Sequence, residues 1–126
     1  MTSGNLGIRV VAVQITVEVK GSIALIKLSE RMIFDESLFL LRRRVRELLD
    51  SGVLRYVIDI SDVPYLDSSA CGEMIGAYSS ITKAQGSLAI VNPNPRVLTL
   101  WKRIRIIEIL NLFDSLDEAV RFVQAS

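Results

Sequence analysis

Apolar and polar positions along the chain change period several times, and each change marks an element. From Ile8 to Lys20, Val11, Val13, Ile15, Val17 and Val19 alternate with Ala12, Gln14, Thr16, Glu18 and Lys20. A period of two predicts a strand with one face inward. Gly21-Ser22 fits a tight hairpin turn, and Ile23 to Leu28 is the second strand, paired antiparallel with the first. Ser29 to Phe34 then leads to a helix that Asp35 can cap. Leu38, Leu41, Val45 and Leu48 recur at i, i+3, i+7 and i+10, which turns the arginines outward, and Gly52 supplies a left-handed terminus.

The middle of the chain reads as strand, turn and helix. Tyr56-Val57-Ile58-Asp59-Ile60 is a short apolar run that suits a strand covered on both faces. Ser61-Asp62-Val63-Pro64 is expected to break it, because Pro64 has no N–H for a ladder and keeps Val63 out of the helical region. Asp67, Ser68 and Ser69 are all N-cap types. Met74, Tyr78 and Ile81 at i, i+4 and i+7 mark the face that packs on the sheet, and Gly86 is placed to end the helix. Ser87 to Val91 predicts a buried parallel strand. Asn94 and Pro95 read as N-cap and first residue of a helix reaching about Arg103. Ile106 to Phe113 holds the last extended segment, and Ser115 to Glu118 has capping-box spacing ahead of Ala119, Val120 and Phe122.

This order is an α/β pattern: a mixed, mostly parallel sheet of four or five strands, with about four helices set against it by right-handed crossovers. At 126 residues the chain is one domain, with residues 1–7 expected to fray. Hydrophobic residues make up 50% and mean hydropathy is +0.38, which fits a sheet buried between helices. No apolar run approaches the roughly 18 residues of a membrane span, and no secretory signal opens the sequence, so a cytoplasmic location is expected.

The residue inventory narrows the chemistry. With no histidine and one cysteine, neither a Cys/His zinc site nor a Ser-His or Cys-His pair can be assembled within the chain. There is no GxxxxGK and no GxGxxG. The expectation is a protein that is not an enzyme and carries no metal or cofactor. Cys71 reads as a small packed residue rather than a reactive thiol. A net charge of +1, from 15 basic and 14 acidic residues, argues against a dedicated nucleic-acid binder. Arg42, Arg43, Arg44 and Arg46 read as the solvated face of their helix. Lys102, Arg103 and Arg105 around Trp101 form a second basic group, with Trp101 either core or partner contact.

The run Val57, Asp59, Pro64, Asp67-Ser68-Ser69 and Gly72 resembles the signature of STAS domains, bacterial anti-sigma factor antagonists in particular: a Val/Ile-rich strand ending near an Asp, then Asp-Ser-Ser or Asp-Ser-Thr before a Gly-containing helix. The resemblance implies a STAS-like fold from about Ile8 to Gln124. It also implies that Ser68, with Ser69 as alternative, is phosphorylated by an anti-sigma factor serine kinase, and that a serine phosphatase reverses the modification. Asp67, Ser68, Ser69, Gly72 and Gly76 are the implied partner-binding residues. A role for Asp67 and Ser68 as caps alone stays open, as does a STAS subunit of a stressosome-like scaffold or of a membrane transport assembly. Gly72, Gly76 and Ser80 form a small-residue stripe, read either as close packing of helix on sheet or as docking surface. Two departures stand out. The family usually has a Gly and an acidic residue after its second strand, near Glu30 and Ile33 here, with Asp35 as a substitute acid. It also has a Gly near the end of its third helix, where this chain has Arg105.

Overall fold

The structure is a computed structural model and describes residues 14–30 and 38–126. The frayed stretch expected at residues 1–7, the expected start of the first strand from Ile8 to Val13, Ile33 and the Asp35 cap lie outside those residues. Strand β1 (Gln14–Lys20) and β2 (Ile23–Ser29) form the expected hairpin, with Lys20 opposite Ile23 and Gly21 at φ +62 in the turn. Helix α1 (Leu38–Asp50), β3 (Arg55–Asp62), α2 (Ser68–Lys83), β4 (Ser87–Val91), α3 (Pro95–Arg103), a 3-10 turn (Ile106–Glu108), β5 (Leu112–Phe113) and α4 (Leu116–Gln124) follow. The five strands lie in the order β1-β2-β3-β4-β5, antiparallel between β1 and β2 and parallel elsewhere.

The pleat sorts the strand residues into two cores. Ala24, Ile26, Leu28, Tyr56, Ile58, Ile60, Leu88 and Ile90 point to the side carrying α1, α2 and α3, where Leu41, Val45, Met74, Ile81, Val97 and Trp101 complete the larger core. Ile23, Val57, Ala89 and Val91 point the other way and meet Ala119 and Val123 of α4. On α2, Ala70, Cys71 and Ala77 share the buried face with Met74 and Ile81, while Tyr78 is half-buried. Tyr56 is enclosed, its hydroxyl donating to the Val53 carbonyl at 2.7 Å, and burial pushes its pKa up to about 12.

Local expectations fail in four places, each for a reason lying elsewhere in the chain. β3 runs two residues past Ile60, because Asp62 pairs with Ser29 after a register shift in β2. Gly86 does not end α2. The left-handed residue is Gln85 (φ 64), and Gly86 is held where a Cβ would lie 2.5 Å from the Leu54 carbonyl oxygen and 2.9 Å from Ile81 Cγ2. The Gly72-Gly76-Ser80 stripe does not pack on the sheet: Gly76 lies beneath the Arg42 guanidinium of α1, and a Cβ on Gly72 would meet nothing within 4 Å. Val19 is exposed rather than inward: among the described residues β1 is an edge strand paired only with β2, and Val19 lies at its turn end.

Candidate functional site

Parallel strands deliver their carboxyl ends to one edge of the sheet, where open α/β folds present loops and helix N-termini together. Here β3 leaves the sheet at Asp62, and Val63 and Leu66 sink into the core while Pro64 and Tyr65 stay exposed. Asn94 fixes this loop from behind. Its Oδ1 accepts from Val97 N at 2.9 Å, capping α3, while its Nδ2 donates to the carbonyls of Val63 (2.9 Å) and Pro64 (3.1 Å). One side chain thus holds the loops after β3 and β4 together.

Charged groups ring the strand ends. Asp59 Oδ1 accepts from the backbone N and the hydroxyl of Ser61, at 2.9 and 2.7 Å. Lys27 Nζ lies 3.0 Å from Asp62 Oδ2. The hydrogen bond to Asp62, then the charges of Asp62 and Asp59, raise the Lys27 pKa. The Glu30 N–H donates to the Asp62 carbonyl at 3.2 Å, with Glu30 at φ 71, a backbone conformation that favours glycine. That is near the place where the resemblance leads one to expect a glycine.

Helix α2 opens with a division of labour among its three cap-type residues. Asp67 is the N-cap, its backbone extended and its Oδ1 accepting from Ala70 N at 2.9 Å. Ser68 and Ser69 are the first two helical residues, both exposed, and among the described residues neither hydroxyl makes a hydrogen bond. Ala70 and Cys71 are buried directly behind them. The arrangement is a pair of free hydroxyls at the positive end of a four-turn helix, on a loop locked from below. Such a hydroxyl can accept a phosphoryl group from an external kinase, and the helix end favours the charge that results.

The remaining candidates sort cleanly. Cys71 is buried, and Trp101 Nε1 donates to its Sγ at 3.3 Å. Burial raises the thiol pKa and outweighs that hydrogen bond, so the thiol is held in its unreactive form. Trp101 belongs wholly to the core, which leaves Lys102, Arg103 and Arg105 as a solvated face. Gly72 is exposed one turn beyond Ser68, and Gly76 lies a turn further, under Arg42. The second role of Asn94, the Lys27–Asp62 pair and the Arg96 guanidinium 6.0 Å from the Tyr65 ring centre escaped the sequence reading. No spacing links residues some thirty positions apart, so no local signal announces them.

No group of His, Cys, Asp and Glu able to hold a metal ion occurs among the described residues, and no described helix is long and apolar enough to cross a membrane. The family model for the STAS domain matches residues 14–119. A candidate anti-sigma factor antagonist of Thermotoga neapolitana is 30% identical over 78 residues, spanning 62% of this chain and 69% of that protein. Among solved structures, a candidate anti-sigma factor antagonist of Thermotoga maritima superposes with a TM-score of 0.80 at 22% identity, covering 87% of this chain and 94% of that one. The anti-sigma factor antagonist SpoIIAA in its unphosphorylated form gives a TM-score of 0.71 at 16% identity, covering 90% of this chain and 100% of that one. The same Bacillus protein is also solved in its phosphorylated form, with a TM-score of 0.70, 16% identity, and coverage of 87% and 99%. With the family model spanning the sheet and nearly all of its helices, the chain belongs to the STAS domain family.

Proposed function

We propose that this chain is an anti-sigma factor antagonist that works as a non-enzymatic phospho-switch, with Ser68 as the modified residue and Ser69 as the alternative. In the unmodified state it binds an anti-sigma factor of the kinase type and so frees the sigma factor. Phosphorylation of Ser68 by that partner ends the binding, and a serine phosphatase restores it. The docking surface is centred on Asp67, Ser68, Ser69 and Gly72, with Gly76 at its margin beneath Arg42.

One observation carries this reading: Asp67 alone caps α2, so the exposed Ser68 hydroxyl beside it has no structural task. A phosphate there is well placed within its own chain, at the positive end of a helix. It also stands next to the Asp67 carboxyl, on the surface a partner must cover. Enclosing that unpaired charge costs the partner several kcal/mol. The existence of SpoIIAA in phosphorylated and unphosphorylated forms on the same fold supports the assignment.

The test is incubation with ATP and the kinase-type anti-sigma factor of the same cell, read by mass spectrometry of the peptide containing Ser68 and Ser69. The expected result is one phosphate on Ser68, absent in Ser68→Ala. Ser68→Asp is expected to weaken partner binding about a hundredfold. An unmodified Ser68 together with undiminished binding by Ser68→Asp would overturn the proposal and favour a STAS subunit that binds its assembly whatever the state of that serine.

A further inference from the structure

The sheet finishes its two edges differently. At one edge β5 has only two residues, too short to offer another chain a ladder. At the other, β1 has seven, paired without interruption to β2 from Gln14 to Lys20, with neither proline nor glycine nor a bulge among them. Shortness, proline and bulges are the common guards of an exposed edge, and β1 has none of them. Among the described residues no strand lies on its outer side. The hairpin fixes which backbone groups face that side. Its turn has two residues, with Gly21 at φ +62, so Lys20 and Ile23 form the closing hydrogen-bonded pair. Alternation along the ladder then commits Lys20, Glu18, Thr16 and Gln14 to β2 and turns the N–H and C=O of Val19, Val17 and Ile15 outward.

We propose that this edge pairs with β1 of a second copy of the chain, antiparallel about a twofold axis at Val17, so that two five-stranded sheets become one. The strand is self-complementary in that register. Val17 meets Val17 of the second copy, Ile15 meets Val19, Thr16 meets Glu18 and Gln14 meets Lys20, so all seven residues pair and no like charges oppose each other. A shift either way leaves part of the strand unpaired, and an axis moved to Glu18 also sets two glutamates face to face. The two charges of β1 are opposite in sign and lie 3.8 Å apart within the strand, so two copies approach without net repulsion at the seam. Val19, 48% exposed in the single chain, gains an apolar neighbour on the face where Ile15 and Val17 already pack against the larger core. Because the far edge is only two residues long, growth stops at two copies. β3, which leads to Ser68, lies two strands away from the seam, so pairing does not depend on the state of that serine and the inference does not rest on the switch.

The experiment is sedimentation equilibrium of the full chain from about 5 µM to about 500 µM, with amide hydrogen exchange followed residue by residue in dilute and concentrated samples. The mass should rise from that of one chain, 14.0 kDa, toward that of two. The amides of Ile15, Val17 and Val19 should exchange several-fold more slowly in the concentrated sample, while those of Thr16, Glu18 and Lys20 stay protected by β2 throughout. Val17→Pro removes an N–H that β2 does not use, so the chain should stay folded and lose pairing over the whole range. Substitutions at Thr16 separate pairing from folding. Thr16→Glu sets a carboxylate opposite Lys27 of its own chain, which stabilises the dilute protein, and opposite Glu18 of the second copy, which should weaken pairing about tenfold. Thr16→Lys reverses both effects and should tighten pairing several-fold although the single chain is less stable, an outcome that misfolding cannot imitate. A mass that stays at 14.0 kDa throughout, Thr16 variants that shift pairing in the same direction, or a dimer in which the Ile15, Val17 and Val19 amides exchange unchanged would each overturn the proposal.

Discussion

The two ends of α2 are built on opposite principles. At its start one side chain, Asp67, does the capping, and the next two residues turn unengaged hydroxyls to solvent. At its finish the backbone closes on itself. Ala84 N reaches the Ser80 carbonyl, Gln85 takes the left-handed conformation, and Gly86 is pressed against Leu54 before β4 begins. The first end is held from beneath, by Val63, Leu66 and the Asn94 side chain, and is open above. The second is closed so tightly that a Cβ on Gly86 would lie 2.5 Å from the Leu54 carbonyl oxygen and 2.9 Å from Ile81 Cγ2. A helix that must present a modifiable residue gains from this asymmetry, because the closed end fixes the axis while the open end keeps its chemistry free.

The comparison is broken most severely at the closed end. Gly86→Ala drives a Cβ into the Leu54 carbonyl and Ile81, and neither backbone can retreat without disturbing the Ser87 N–H to Leu54 hydrogen bond of 2.8 Å. The expected cost is about 3 kcal/mol, a fall in Tm of roughly 10 °C by calorimetry. Asn94→Ala comes next, at about 2 kcal/mol, since it removes a cap and leaves two loop carbonyls unmatched. Asn94→Asp sharpens that result. Aspartate caps as well as asparagine but turns a carboxylate oxygen toward the Val63 and Pro64 carbonyls, so the stability it loses in urea titrations measures the link between the two loops together with that repulsion. At the open end, Asp67→Ala should cost about 1 kcal/mol, while Ser68→Ala and Ser69→Ala should each stay within about 0.5 kcal/mol. A larger loss from Ser68→Ala would mean that its hydroxyl carries part of the cap.

What the sequence disclosed follows the same division. Features closed within a few residues were legible: the alternation that becomes β1, the capping box in which Ser115 Oγ accepts from Glu118 N at 3.2 Å, and the Asn94-Pro95 start of α3. The Asp67-Ser68-Ser69 start of α2 was legible as a cap, but which of the three caps was not, since all three have the right oxygen. Features closed over distance were illegible. Gly86 was visible as a glycine with the wrong task, because its constraint comes from Leu54 on the other side of β3 and α2. The Gly76 stripe was visible too, but the Arg42 side chain covering it belongs to a different helix. Neither spacing nor residue type reports such meetings; only the register of β3 between β2 and β4 brings them about.

The smallest effect tests whether α3 closes like the finish of α2. After the Ile104 cap, Arg105 adopts φ 66, the conformation in which an L side chain crowds its own carbonyl. Its guanidinium holds Glu108 at 2.8 Å, but both side chains are largely exposed, so that pair adds little. Relatives of this fold were expected to carry glycine near this point, and the backbone here keeps the shape that glycine favours although the residue has changed. Arg105→Gly should therefore remove strain at the cost of chain entropy and one surface pair, for a net rise in Tm of about 1 °C. Arg105→Ala loses the same pair without relieving the strain, and should lower Tm slightly or leave it unchanged. If both substitutions lower Tm equally, the ion pair and not the backbone governs this turn, and the parallel between the ends of α2 and α3 fails.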